Sequence, residues 1–314
     1  DTTAPTVSSF SMSDTALKSG DTSTVTIVFS EEVAGFSNDD ITVVNGTLST
    51  MSSTDDVTWT GTYTPNSNVE DSTNVLTLGT NWTDKAGNAY AGSAISTENF
   101  TIDTKAPSIS AVTQVSTPSN DTTPSYVFTT NEAGTITTNI TQGISSNTSA
   151  SVGNNTVTFN TLPEGTYANK TITLTDSAGN SSSLTLDTFV IDTTAPTVSS
   201  FSMSDTALKS GDTSTVTIVF SEEVAGFSND DITVVNGTLS TMSSTDDVTW
   251  TGTYTPNSNV EDSTNVLTLG TNWTDKAGNA YAGSAISTAN FTIDTKAPTV
   301  SSFSMSDTAL KSGD

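Results

Sequence analysis

The chain contains no cysteine and no histidine. This excludes disulfides, thiol nucleophiles, a histidine general base and any imidazole metal site. Basic residues are scarce, with 8 Lys+Arg against 34 Asp+Glu and a net charge of -26. Nucleic acid and anionic membrane surfaces need clustered cations, so both are excluded as partners, and cations are expected instead. No apolar run is long enough to cross a membrane and no signal peptide opens the chain, so insertion within this segment is not expected. Nucleotide-binding glycine loops and nucleophile elbows are also missing. Glu31 and Glu32 are adjacent and point to opposite faces, so they do not form the facing carboxylate pair of a glycosidase. The absence of cysteine does not fix a compartment.

What the chain does have is repetition. Residues 1–107 and 192–298 differ at one position, where Glu98 is replaced by Ala289. A third copy runs from Asp294 to Asp314 and differs from Asp1–Asp21 only in Lys296 for Thr3. The motif Asp-Thr-x-Ala-Pro recurs at Asp1, Asp103, Asp192 and Asp294. We therefore divide the chain into X (1–102), a shorter Y (103–191), a second X (192–293) and the first strand of a further X (294–314). Domains of about 100 residues carry their own core. Verbatim repetition suits an array that supplies length or multivalency better than a single active site.

Short alternating runs dominate each repeat. In X, Val25, Ile27 and Phe29 alternate with Thr24, Thr26 and Val28. Ile41, Val43, Val57, Trp59, Tyr63, Leu76, Leu78, Phe100 and Ile102 continue the pattern. In Y the matching positions are Tyr126, Phe128, Ile136, Val157, Phe159, Ile172, Leu174, Leu184, Phe189 and Ile191. A period of two with one apolar face predicts half-buried antiparallel strands. Branched Val and Thr suit a pleated surface. Turn signals such as Asn45-Gly46 and Ala86-Gly87-Asn88 interrupt the runs. The expectation is all-β: tandem immunoglobulin-like β-sandwiches, about seven strands each, arranged as an extended rod. Trp59 falls in phase with the core face, and Trp82 sits where it can cap the sandwich, so a carbohydrate-binding platform is the weaker reading of the aromatics.

The X repeats resemble bacterial Ig-like domains found in tandem in large surface adhesins. The resemblance is carried by Ser30-Glu31-Glu32-Val33-Ala34-Gly35-Phe36, Asp39-Asp40-Ile41-Thr42-Val43 and Thr83-Asp84-Lys85-Ala86-Gly87-Asn88. Y is similar to a second Ig-like group through Asn120-Asp121-Thr122-Thr123-Pro124, Asn131-Glu132-Ala133-Gly134 and Thr175-Asp176-Ser177-Ala178-Gly179-Asn180. The likeness implies an extracellular or bacterial cell-surface location and a non-catalytic spacer role. Its partners would be neighbouring repeats or other copies in a filament, and calcium would sit between domains. A runner-up is an accessory array on an extracellular hydrolase.

Topology gives an independent reason to expect Ca²⁺. In such a sandwich the start of the first strand, the loop after the second and the loop before the last share one end. That end collects Asp1, Asp39, Asp40, Asp84 and Asn88 in the first X, together with Glu31. In Y it collects Asp103, Glu132, Asp176 and Asn180. In the second X it collects Asp192, Asp230, Asp231, Asp275 and Asn279, together with Glu222 and Glu223. Asp294 opens the next set. Crowded carboxylates cost about 4 kcal/mol per pair at 4 Å near a protein surface, and Ca²⁺ with six to eight oxygen ligands removes that cost. The alternative is that Asp84 and its equivalents only shape turns, that Asp39-Asp40 begins a strand, and that the acidity serves solubility.

Overall fold

The computed structural model describes residues 1–309 together with 311 and 312. It is all-β apart from two short 3-10 turns. The chain divides into two compact units. The first comprises Asp1–Val115, Thr123–Leu162 and Tyr167–Thr188, and the second comprises Ser116–Thr122, Pro163–Thr166 and Phe189–Asp314. This division differs from the three-repeat boundaries because two loops of Y bond to the repeat that follows. Asp192 N–H donates to the Ser119 carbonyl at 3.0 Å, and Asn120 N–H donates to the Ala277 carbonyl at 3.1 Å. Glu164 accepts from Thr193 and Thr194.

In the first unit, the X repeat contributes β1 (Val7–Met12), β2 (Ala16–Lys18), β3 (Ser23–Phe29), β4 (Val33–Ala34), β5 (Ile41–Thr42), β6 (Gly46–Leu48), β7 (Thr58–Pro65), β8 (Glu70–Asn74), β9 (Thr77–Leu78), β10 (Thr83–Asp84), β11 (Ile95–Ser96) and β12 (Phe100–Asp103). One sheet has the order β1-β3-β7-β6. The facing layer is broken into β2-β12-β8, β11-β9-β5 and β10-β4. The expected alternation is visible in β3, where Val25, Ile27 and Phe29 are buried between less buried neighbours. Within this repeat, pairing departs from the all-antiparallel expectation where β2 runs parallel to β12 with Leu17 opposite Ile102. The cause is local. Asp14 accepts from Ala16 N–H and the Ser23 hydroxyl bonds Asp14, so the first strand bends between β1 and β2 and crosses to the other layer.

The core of this repeat joins Phe29, Trp82, Tyr63 and Phe100 to the aliphatic strand residues. Trp82 is 2% exposed, stacks on Tyr90 at 4.5 Å and donates its indole N–H to the Gly79 carbonyl at 3.2 Å. Trp59 is half-buried against Phe36. Trp82 is thus a core residue with no free face for a sugar ring, and Trp59 packs against the same core. The Y part of the first unit contributes two four-stranded sheets. Their central strands are Ser125–Thr130 paired with Gly153–Phe159, and Gly134–Thr138 paired with Thr171–Thr175. In the second unit the X repeat reproduces the first, with Val198–Met203, Ser214–Phe220, Thr249–Pro256 and Gly237–Leu239 forming the same sheet order.

Tyr63 anchors the hairpin that ends in β7. Its hydroxyl donates to the Val44 carbonyl at 2.7 Å, and a Cβ at Gly46 would overlap its ring. Burial pushes the phenol up to about 12. The neutral form is therefore the one that folds, and its stability is fully present below pH ~10 and lost as pH rises toward 12. Tyr63→Phe should cost about 1 kcal/mol at pH 7 through the lost hydrogen bond. The same variant should lose less stability than the parent between pH 10 and 12, as followed by urea unfolding.

Residues 295–309 form no strand. The counterparts of the β1 apolar residues are exposed, with Val300 at 84% and Phe303 at 95%. Residues 310, 313 and 314 of the strand expected over 294–314 lie outside the described residues.

Candidate metal centre

Asp84 ends β10, opposite Val33 of β4. Its backbone N–H takes the Asn88 carbonyl at 3.0 Å, closing the Asp84–Asn88 loop, and Gly87 turns that loop at φ 91°. A side chain is strongly disfavoured at such a φ, which explains the glycine. Asn88 then holds the carboxylate twice. Its N–H donates to Oδ1 at 2.8 Å and its Nδ2 to Oδ2 at 2.7 Å. These bonds hold the Asp84 carboxyl below its ordinary value, the Asn88 side chain contributing most. Asp84 is only 2% exposed, so its orientation is set by the fold.

Two further carboxylates meet it. Glu31 follows the end of β3, where Ser30 and Thr6 bond each other through backbone and side chain. Asp1 opens the repeat, accepting from Thr3 N–H at 2.8 Å, and its carbonyl accepts from Asn88 Nδ2 at 3.4 Å. Oxygens of Asp1, Glu31 and Asp84 all lie within 4.8 Å of one another. The second X repeat builds the same group from Asp192, Glu222 and Asp275. There Asn279 Nδ2 reaches the Asp192 carbonyl at 2.8 Å, and Asp275 is 1% exposed. Burial first, then Asp192 and Asp275, raise the Glu222 carboxyl above its ordinary value.

Not every expected ligand joins these groups. Asp39 and Asp40 lie in the 3-10 turn Asn38–Asp40, where Asp40 accepts from Ser37 N–H at 2.9 Å and completes a capping box. Asp230 and Asp231 do the same after Ser228. A carboxylate committed to capping is aimed at its own turn, which is why Asp40 and Asp231 do not reach the repeat start, while Asp39 and Asp230 enter the turn only through their backbone N–H groups, which donate to Ser37 and Ser228. Glu31 and Glu222 supply the third carboxylate instead. Asn88 and Asn279 act as orienting partners, their amides donating to the neighbouring carboxylate and backbone. In Y, Asn180 bonds both Asp176 and Asp103, but Glu132 turns to Asn131 Nδ2 at 3.0 Å. Among the described residues, Asp103, Glu132 and Asp176 do not gather as the X trios do. Asp294 ends the strand Phe291–Asp294 and accepts from Lys296 N–H, without a carboxylate trio among the described residues.

The donor set suits a hard cation. It offers three carboxylates and no sulfur or imidazole ligand. Oxygens bound to one Ca²⁺ at about 2.3–2.6 Å lie at most about 5 Å apart, which matches the spread of both trios. The trios leave coordination positions for backbone carbonyls, further side chains or water. The charges acting on Glu222, from Asp192, Asp275 and Glu164, are all like charges, and a hydrogen bond from Ser221 offsets them in part. Glu222→Gln should therefore raise the melting temperature in EGTA and reduce the further rise on adding calcium, as read by differential scanning calorimetry in both buffers.

Comparison with known proteins bears on the repeats. No curated protein matches the chain. Solved structures similar to the chain include an I-band fragment of titin, at TM-score 0.43 and 10% identity over 95% of this chain and 100% of that one, and an E-to-A mutated variant of titin Ig domains, at TM-score 0.42 and 11% identity over 94% of this chain and 99% of that one. The profile of the bacterial Ig-like domain family matches residues 1–102 and 192–293, which are the two X repeats and well over half of the chain. The chain belongs to the bacterial Ig-like domain family.

Proposed function

We propose that this chain is a spacer segment of a large bacterial cell-surface or secreted protein, an adhesin or extracellular filament, stiffened by calcium at its repeat starts. The observation that carries the reading is the near-verbatim X repeat, with the same three-carboxylate group rebuilt at Asp1, Glu31, Asp84 and at Asp192, Glu222, Asp275. A catalytic site gains nothing from a second identical copy, whereas a stalk gains length. Family membership supports an extender role and an extracellular setting. The partners are then the neighbouring repeats and, in a filament, further copies of the chain.

In this reading Asp84 and Asp275 are fixed oxygens held by their asparagines, and Asp1 and Asp192 bring the chain entering the repeat onto the same ion. An ion that binds both the entering chain and a loop of the folded repeat restricts the hinge between repeats. The ion's role is structural, since it neutralises like charge and ties backbone segments together.

Small-angle scattering in calcium tests the spacer reading. Three sandwiches end to end, at roughly 40 Å each from strand rise and loops, give a length of about 120 Å. The corresponding radius of gyration is about 35 Å, against about 20 Å for a compact globule of this chain length. The compact value would rule out a spacer.

A further inference from the structure

The third residue of each repeat start alternates: Thr3, Lys105, Thr194, Lys296. Its backbone does the same work every time. The N–H of residues 3, 105, 194 and 296 donates to the carboxylate two residues earlier, at 2.8, 3.3, 3.0 and 3.3 Å. The side chains differ. Lys105 Nζ pairs with Glu70 at 2.9 Å and Lys296 Nζ with Glu261 at 3.2 Å, so the linker leaving an X repeat is strapped by an ion pair. The linker leaving Y is strapped by a neutral donor, with Thr194 Oγ1 donating to Glu164 at 2.8 Å. Each strap ends on a glutamate of the preceding repeat, but only two bring in a positive charge.

The surroundings differ accordingly. Lys105 interacts with three carboxylates, Glu70, Glu132 and Asp103. At the start of the second X, Glu164, Asp192 and Asp275 all act on Glu222 with like charge, and the residue in the place of Lys105 is a threonine. Both starts thus collect four acidic side chains: Glu70, Asp103, Glu132 and Asp176 in one, and Glu164, Asp192, Glu222 and Asp275 in the other. Only the second gathers three of them within 4.8 Å of one another. An ammonium held among carboxylates lowers their mutual repulsion as an ion does, and it lowers the gain from adding one.

We propose that Lys105 is a tethered counter-ion that takes the place of calcium at the start of Y, whereas Thr194 leaves the Asp192–Glu222–Asp275 group dependent on the free ion. The inference rests on the calcium reading above and adds a rule to it: the residue two positions after the opening aspartate decides whether a repeat start needs a metal. A string of such repeats then contains two kinds of hinge. Those after X stay held whatever the calcium concentration, and those after Y loosen when calcium falls.

Calcium titration calorimetry on the whole chain tests this, with Lys105→Thr and Thr194→Lys beside the parent. Lys105→Thr is expected to bind one additional calcium ion per chain. Thr194→Lys is expected to weaken binding at the Asp192 group at least tenfold, and to raise the melting temperature in EGTA above that of the parent. Lys105→Met, which keeps the length of the side chain and removes its charge, should match Lys105→Thr if charge is the cause. Calcium binding by the parent that neither Lys105→Thr nor Thr194→Lys alters would overturn the counter-ion role alone. No calcium binding by the parent would overturn the calcium reading on which it rests. If Lys105→Thr fails to fold, Thr194→Lys still decides the matter from the other junction.

Discussion

If calcium binds as proposed, replacing EGTA by saturating calcium should raise the melting temperature of the second X repeat by about 10–20 °C. The estimate follows from linkage. An ion at a hundredfold excess over its dissociation constant adds about 2.7 kcal/mol, and each kcal/mol moves the midpoint of a domain of this size by about 4–8 °C. The expected gain is large because like charges crowd together in the metal-free state. Asp192, Glu222 and Asp275 bring three carboxylates within 4.8 Å, and Asp275 is buried. Differential scanning calorimetry at fixed protein concentration reads the shift. Asp275→Asn should abolish most of it, because Asp275 is the carboxylate that the fold holds most rigidly, through Asn279 at 2.8 Å to each of its oxygens.

Trp273→Ala has an effect of comparable size with a different cause. Trp273 is 2% exposed, stacks on Tyr281 at 4.6 Å, lies 4.6 Å from Phe220 and donates to the Gly270 carbonyl at 3.1 Å. Truncation leaves a large cavity between the layers and an unpaired Gly270 carbonyl. Phe/Trp→Ala substitutions in cores cost about 3–5 kcal/mol, out of the 5–15 kcal/mol that usually stabilises a domain. Urea unfolding should show the second X repeat melting early in this variant. The repeat supplies its own control, because Trp82 has the same environment in the first X. Trp82→Ala should destabilise that repeat by the same amount, to within the roughly 0.5 kcal/mol by which separate sites add.

Much of the fold was legible in the sequence because burial in a sandwich follows a period of two. Val25, Ile27, Phe29, Leu76, Leu78, Phe100 and Ile102 are buried as their alternation predicted. The carboxylate end was legible for a topological reason, and Asp1 and Asp84 do meet there. What the sequence hid depends on side-chain direction in short loops. Asp39 and Asp40 are as acidic as Glu31 and close to it in sequence, yet a capping box turns Asp40 back on Ser37. Ser37 followed three residues later by an acid was the available signal. The parallel pairing of Ala16–Lys18 was hidden because alternation reports which face is buried, and not which neighbour a strand takes. Lys105 is hard to single out because one lysine beside many acids reads as solvated charge. Its signal is its place two residues after an opening aspartate, where Thr3 and Thr194 stand in the X repeats.

A crystal of this chain grown in millimolar calcium tests the central claim most directly. An anomalous peak between Asp192, Glu222 and Asp275, with an oxygen from each at about 2.3–2.6 Å, is the expected result. A calcium-soaked crystal with these three side chains splayed into solvent and no peak among them would contradict it.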